Sequence, residues 1–208
     1  MIGLVGPQRV GKTTLARAFA TKRNIPFIET DSAAVFEALE LDPKADYDFD
    51  TRLYVQHAIL DEAVALYSHN TGLFITDRTP IDMLAYTMAD IQRSNVTRAQ
   101  AEEFAKYTLR CHDETNRRFA CLTLIQPGIP IIEEKGKAPG NLAYMEHLNA
   151  LILGLMVGDN NEVSHYYLPR ATLDLKERVK ALEFVVAKTV SRDIANVERL
   201  KESGMIFH

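Results

Sequence analysis

The strongest chemical signal in the chain is the run Gly6-Pro7-Gln8-Arg9-Val10-Gly11-Lys12-Thr13, followed by Thr14. It fills the pattern G-x-x-x-x-G-K-[ST] at every fixed position. Glycine at both ends lets the backbone curl until its N–H groups converge, and converging N–H groups bind phosphate oxygens. Lys12 adds a point charge for β- and γ-phosphates. The Thr13 hydroxyl is a hard oxygen ligand of the kind Mg²⁺ accepts. The expected ligand is therefore ATP, held by its phosphate tail. The plainer alternative is a glycine-rich turn that binds nothing. The flanking sequence argues against it: an apolar run precedes the loop and an amphipathic helix follows, whose positive end adds to the same point.

The elements that must position this loop follow from periodicity. Apolar runs predict strands over Ile2–Val5, Ile25–Ile28, Leu73–Thr76, Cys121–Ile125 and Val163–Leu168. Helical spacing covers Lys12–Arg23, with Leu15, Ala16, Phe19 and Ala20 on one face, and then Ala33–Leu41, Arg52–Ser68 and Pro80–Ile91. Further helices are expected over Thr97–Arg118, Asn141–Val157, Thr172–Lys188 and Arg192–Glu202, with Thr97 as an N-cap. Strands alternating with helices specify an α/β fold: a three-layer P-loop NTPase architecture with a five-stranded, mostly parallel sheet and helices on both faces. The 208 residues form one domain, with lid or acceptor insertions at about 42–70 and 93–140. Pro127–Gly140 is expected to be a loop.

Composition narrows the classes. A formal net charge of -4 gives no global attraction to DNA or anionic lipid, although a local basic patch is allowed. Cys111 and Cys121 sit in no metal-binding spacing and read as buried free thiols. No signal peptide is visible, and the apolar stretch Leu148–Val157 is too short to cross a bilayer, so no membrane partner and a cytoplasmic location are expected. Apolar positions on the Asn141–Val157 helix leave a homodimer open.

The loop alone does not fix the reaction. No base-reading Asn-Lys-x-Asp segment is present. Remodelling ATPases usually end their third strand in Asp-Glu, whose glutamate polarises water. Here Leu73–Thr76 ends in Asp77-Arg78, which has no such glutamate.

The segment Asp77-Arg78-Thr79-Pro80, with Asp82 and Tyr86 beyond it, resembles the Asp-Arg segment of thymidylate kinases and deoxynucleoside kinases. Together with the phosphate loop it also resembles phage-encoded P-loop kinases, a group that includes relatives of ribosylnicotinamide kinases and the kinases of 5-hydroxymethyluracil bases in phage DNA. The likeness covers most of the chain in layout and rests on these two short motifs. It implies that Asp77 serves the Mg²⁺ shell with Thr13, and that Arg78 holds a phosphate or the acceptor. A helix N-cap for Asp77 and a structural ion pair for Arg78 stay open.

In an open parallel sheet, ligands bind beyond the carboxyl ends of the strands. Asp31, in Glu29-Thr30-Asp31, is thus expected near the γ-phosphate. Thr30-Asp31-Ser32 is similar to the point where small-molecule kinases of this type place a proton-accepting carboxylate. This resemblance makes Asp31 the candidate general base, with Glu29 second, while an N-cap before Ala33 is the other reading of Asp31. Catalytic candidates are therefore Lys12, Asp31 and Arg78. Lid cations are sought among Arg110, Arg117, Arg118, Lys135 and Lys137; related kinases use arginines near the last two positions, and the pair Glu102–Lys106 reads equally as a solvated face. Arg170, in the loop after the fifth strand, could stack on the adenine, while Thr172 beside it could be a plain N-cap. Glu29, Arg52, Tyr54 and Arg78 are acceptor candidates, since aromatics stack on bases and arginine reads their edges.

The expected reaction is transfer of the γ-phosphoryl group of ATP to a hydroxyl of a nucleoside, nucleotide or modified-base acceptor. A narrower version places that hydroxyl in DNA and needs a basic surface, for which Arg93, Arg98, Lys106, Arg110, Arg117 and Arg118 are the candidates. A regulatory P-loop ATPase without a small acceptor is the third reading.

Overall fold

In the computed structural model, residues 1–91, 95–131 and 140–202 are described, the last seven by their backbone. Five strands and seven helices alternate among them: β1 (Ile2–Val5), α1 (Lys12–Arg23), β2 (Phe27–Ile28), α2 (Ser32–Ala38), α3 (Phe49–His69), β3 (Ile75–Thr76), α4 (Pro80–Ile91), α5 (Arg98–Arg118), β4 (Cys121–Ile125), α6 (Leu142–Val157), β5 (Ser164–Leu168) and α7 (Leu175–Glu202). The sheet order is β2-β3-β1-β4-β5 and every pairing is parallel.

Alternation along the strands divides the core into two layers. Ile2, Leu4, Cys121 and Ile125 pack with Leu15 and Phe19 of α1 and with Val179 and Leu182 of α7. Val5, Leu122 and Leu124 pack with residues of α3, α4, α5 and α6. Both strands are covered on both faces and buried throughout, which is why β1 and β4 are apolar at nearly every position, Thr123 excepted. The α1 face is the one read from spacing: Leu15, Ala16, Phe19 and Ala20 are its buried residues.

Several boundaries differ from the sequence expectation for identifiable reasons. β2 begins at Phe27 rather than Ile25. The Ile25 N–H still bonds the Ala20 carbonyl of α1, and Pro26 has no N–H, so it gives the sheet only a carbonyl, to Ile75 at 3.1 Å. α3 starts one turn early because Asp48 caps it, accepting from the Thr51 N–H. The two helices expected at the C-terminus are one. No Gly or Pro separates them, and Thr189 and Ser191 bond back to the Val185 and Ala187 carbonyls instead of breaking the helix. Thr172 does not cap α7; Asp174 does, accepting from the N–H groups of Lys176 and Glu177. The capping box of Thr97 with Gln100 is present.

Both cysteines are buried free thiols, and burial raises both, Cys111 to about 12. Among the described residues no helix is long and apolar enough to cross a membrane.

Candidate active site

The site is built where β1 and β3 end side by side. Their register pairs Gly3 with Thr76, so Asp77 leaves β3 about level with Leu4, near the carboxyl end of β1, and its carboxylate meets Thr13 just past the loop. Gly6 opens that loop at φ 147°, and a Cβ there would lie 2.4 Å from the Ile125 carbonyl oxygen, so only glycine fits. Gly11 closes the loop at φ 80° and delivers the chain into α1.

Lys12 reaches back along the loop. Its Nζ donates to the Gly6 carbonyl and, at 2.8 Å, to the Pro7 carbonyl. Burial pulls its pKa down to about 8; Asp82 and Asp77 oppose the shift and Arg78 adds to it. The Thr13 hydroxyl donates to Asp77 Oδ2. A hydroxyl and a carboxylate meeting beyond the carboxyl ends of the inner strands suit a hard cation that takes oxygen ligands. Among the described residues no cluster of three or more His, Cys, Asp or Glu could hold a metal by itself, so an ion here would complete its shell from phosphate oxygens and water.

Asp82 is the centre of the support. It is fully buried. Its Oδ1 accepts from the Gly6 N–H at 2.9 Å, and its Oδ2 accepts from the N–H and hydroxyl of Thr79. Thr79, the residue before Pro80, accepts in turn from the Asp82 N–H, so the start of α4 and the start of the phosphate loop share one carboxylate. Burial pushes the Asp82 carboxyl up, while Lys12, Arg78 and the Gly6 and Thr79 donors pull it back. Sequence reading named Asp82 only as a companion of the Asp-Arg segment; a carboxylate three residues after a Thr-Pro helix start is the signal that could have found its role.

Arg78 lies beside this group. Its guanidinium sits over the Tyr86 ring, 5.4 Å from the centroid, and the Tyr86 hydroxyl donates to Gln8 of the loop at 2.9 Å. Among the described residues no carboxylate lies within ion-pair distance of Arg78, so it is not the structural pair that was the alternative reading. Its carbonyl is fixed by the Tyr67 hydroxyl at 2.7 Å. Tyr67→Phe should cost about 1 kcal/mol and lower the melting temperature by roughly 2–4 °C, read by calorimetry; an unchanged value would mean the bond is not formed in solution.

Beyond Tyr86 the polar row continues. Tyr144, at the start of α6, is within electrostatic reach of Tyr86, Asp90 and Arg52. Arg52 lies 3.7 Å from Asp90 and 2.6 Å from Asp46. Tyr54 is 61% exposed. Asp90 and Tyr144 were not found from sequence, because their helices read as ordinary amphipathic segments.

The remaining candidates have partners of their own. Glu29 pairs with Arg17 at 2.6 Å. Asp31 caps α2, its Oδ1 accepting from the Ala33 and Ala34 N–H groups. Arg110 pairs with Asp61 of α3, and Arg117 and Arg118 both pair with Glu114. Lys106 pairs with Glu103 rather than Glu102, which takes Arg98. Arg170 is engaged by both oxygens of Glu146. Lys135 and Lys137 lie outside the described residues. A cavity of about 730 Å³ follows β5 between α6 and α7, and no residue of Gly6–Thr14 lines it.

Arg178, which sequence reading missed, is 2% exposed in the first turn of α7 and donates to the Val10 carbonyl of the loop at 2.9 Å.

The fold is shared with solved structures. The chain is similar to a deoxyadenosine kinase from M. mycoides with bound dATP, at 14% identity and TM-score 0.65 over 89% of this chain and 98% of that one. The same enzyme with bound dCTP gives 13% identity and TM-score 0.64 over 90% and 98%. The YorR protein from Bacillus subtilis, in complex with phosphorylated GDP, gives 16% identity and TM-score 0.52 over 89% and 95%. At these identities the likeness is one of fold. No curated protein matches the sequence. A family model described as an AAA domain matches residues 1–118, more than half of the chain and the part that holds β1, the phosphate loop, β3 and Asp82. The chain thus belongs to this AAA domain family and carries its phosphate loop in an α/β P-loop fold.

Proposed function

We propose that the chain is a phosphotransferase that moves the γ-phosphoryl group of ATP to a hydroxyl of a nucleoside, nucleotide or modified-base acceptor. The observation that carries this reading is the corner at the end of β3. Asp77 bonds the loop's Thr13, and the next residue is a cation facing the same space, not a glutamate that would activate water. The polar row from Gln8 and Tyr86 to Asp90 and Arg52 offers aromatic faces and paired hydrogen-bonding groups, which suit a base better than a flat protein partner. The kinase of like fold with bound dATP, and YorR with its phosphorylated GDP, support a nucleotide at such a site.

Lys12 steadies the β- and γ-phosphates from inside the loop, and α1 presents its positive end to them. Mg²⁺, when held by Thr13 and Asp77, supplies charge neutralisation across the same oxygens. Arg78 holds the acceptor or the group in flight. Asp31 takes the acceptor's hydroxyl proton as the new O–P bond forms and the bond to the ADP oxygen breaks. Asp31 Oδ1 alone serves the α2 cap, which leaves its Oδ2 for this task. Insertions around α3 and α5 would shape the acceptor side.

Asp31→Asn keeps a capping oxygen and hence the fold. It should leave ATP affinity within about threefold while transfer falls by about 10²-fold or more. Loss of both in equal measure would make Asp31 a structural cap only. Labelled ATP offered with nucleosides, nucleoside monophosphates, nicotinamide riboside and hydroxymethyluracil-containing DNA would name the acceptor. Label on DNA alone would favour the polymer reading, which the charge pattern disfavours: Arg98, Lys106 and Arg110 each pair with an acid, Arg117 and Arg118 share Glu114, and Arg93 lies outside the described residues. Phosphate release independent of any acceptor would favour a regulatory ATPase.

A further inference from the structure

Two side chains grip the phosphate loop from opposite ends. Asp82 takes the N–H of Gly6, and Arg178 donates through Nη1 to the carbonyl of Val10 at 2.9 Å. The Arg178 Nε donates to the carbonyl of Thr172 at 2.8 Å, in the loop that joins β5 to α7. The guanidinium therefore bridges two backbone segments on either side of the sheet's end. It also lies close under the loop: a Cβ at Gly11 would come within 3.1 Å of Nη1.

The energetics of this placement are unusual. Arg178 is 2% exposed, and among the described residues no carboxylate lies within ion-pair distance of it. Burial lowers its pKa. A buried cation without a counter-ion is unfavourable unless something offsets it. Two carbonyls use two of its five donors and cancel none of its charge. It stands directly behind a loop whose N–H groups and lysine already converge on an anion. A polyphosphate chain would supply a negative charge that no described residue gives Arg178 at ion-pair distance.

We infer that Arg178 is a positioning residue for phosphate binding: it holds the Val10 carbonyl outward so that the loop's N–H groups stay turned in, and its charge is balanced by the bound polyphosphate. The inference rests on the phosphate loop being a phosphate site. It does not depend on which acceptor is phosphorylated. It also ties the β5–α7 loop to the phosphate loop, making the two one rigid unit.

The test uses inorganic tripolyphosphate, which has no base and is offered without an acceptor. Dissociation constants are measured by titration calorimetry, at a temperature where each variant is folded by circular dichroism, for the full chain, Arg178→Met and Arg178→Lys. The expected result is a tenfold or greater weakening in Arg178→Met, with Arg178→Lys intermediate, because lysine restores charge but lacks the planar fork that spans both carbonyls. A residue that only packs α7 would lower melting temperature and leave the tripolyphosphate constant of the folded protein unchanged; that outcome overturns the proposal. If Arg178→Met does not fold, Arg178→Lys decides alone, and wild-type affinity in it is the contrary result. Absence of binding to the unaltered chain would remove the phosphate-loop reading, and this inference with it.

Discussion

Replacing Lys12 by Ala lowers phosphoryl transfer by about 10²–10³-fold and weakens ATP binding with it. The reason lies in where the ammonium sits. It is bonded to the Gly6 and Pro7 carbonyls of the loop, with Asp82 and Asp77 near enough to favour its charge. Alanine removes the point charge and leaves those carbonyls without their donor. Because the ammonium acts on the tail in both the bound and the reacting state, the dissociation constant and the rate should worsen together. Equilibrium binding and single-turnover rates on the same preparation separate the two. A Lys12→Ala chain that binds and turns over normally would refute the assignment of the loop.

The second large effect is expected at Asp82. Asparagine has the same shape but must place an N–H₂ where one of the two carboxylate oxygens now accepts. Whichever way the amide turns, a donor faces a donor: the Gly6 N–H on one side, or the Thr79 N–H on the other. The site is fully buried, so water cannot repair the mismatch. Asp82→Asn should lose about 2–3 kcal/mol of stability, which corresponds to a melting temperature lower by roughly 5–10 °C. It should also weaken nucleotide binding, because the freed Gly6 N–H no longer fixes the loop's first residue. Denaturant unfolding of the variant checks the first part, and a change below about 0.5 kcal/mol would show that the carboxylate is not the tie described here.

The loop and its strand–helix setting were legible because every part of the signal is local. Gly6, Gly11, Lys12 and Thr13 are fixed by spacing, and the helical face after them by period. Asp77 could be named because it follows a strand of the same parallel sheet, and its carboxylate accepts from the Thr13 hydroxyl. What was not legible depends on partners far along the chain or on the backbone itself. Arg178 acts on a carbonyl 168 residues away, and backbone acceptors leave no mark in sequence. Asp90 and Tyr144 meet Arg52 only once α4 and α6 pack. The arginines of α5 read as lid candidates, yet they find acids at Asp61 and Glu114. The C-terminal stretch reads as two helices, Thr172–Lys188 and Arg192–Glu202, yet α7 is continuous, and Thr189 and Ser191 between them bond to helix carbonyls.

The direct test of the central claim is the fate of the γ-phosphoryl group in one turnover. With the chain in excess over γ-labelled ATP and Mg²⁺ present, label should stay on ATP when no acceptor is added. It should pass to the hydroxyl of an acceptor, and not to water, when the accepted nucleoside or nucleotide is supplied. Label released as inorganic phosphate at the same rate with and without acceptor would contradict the account.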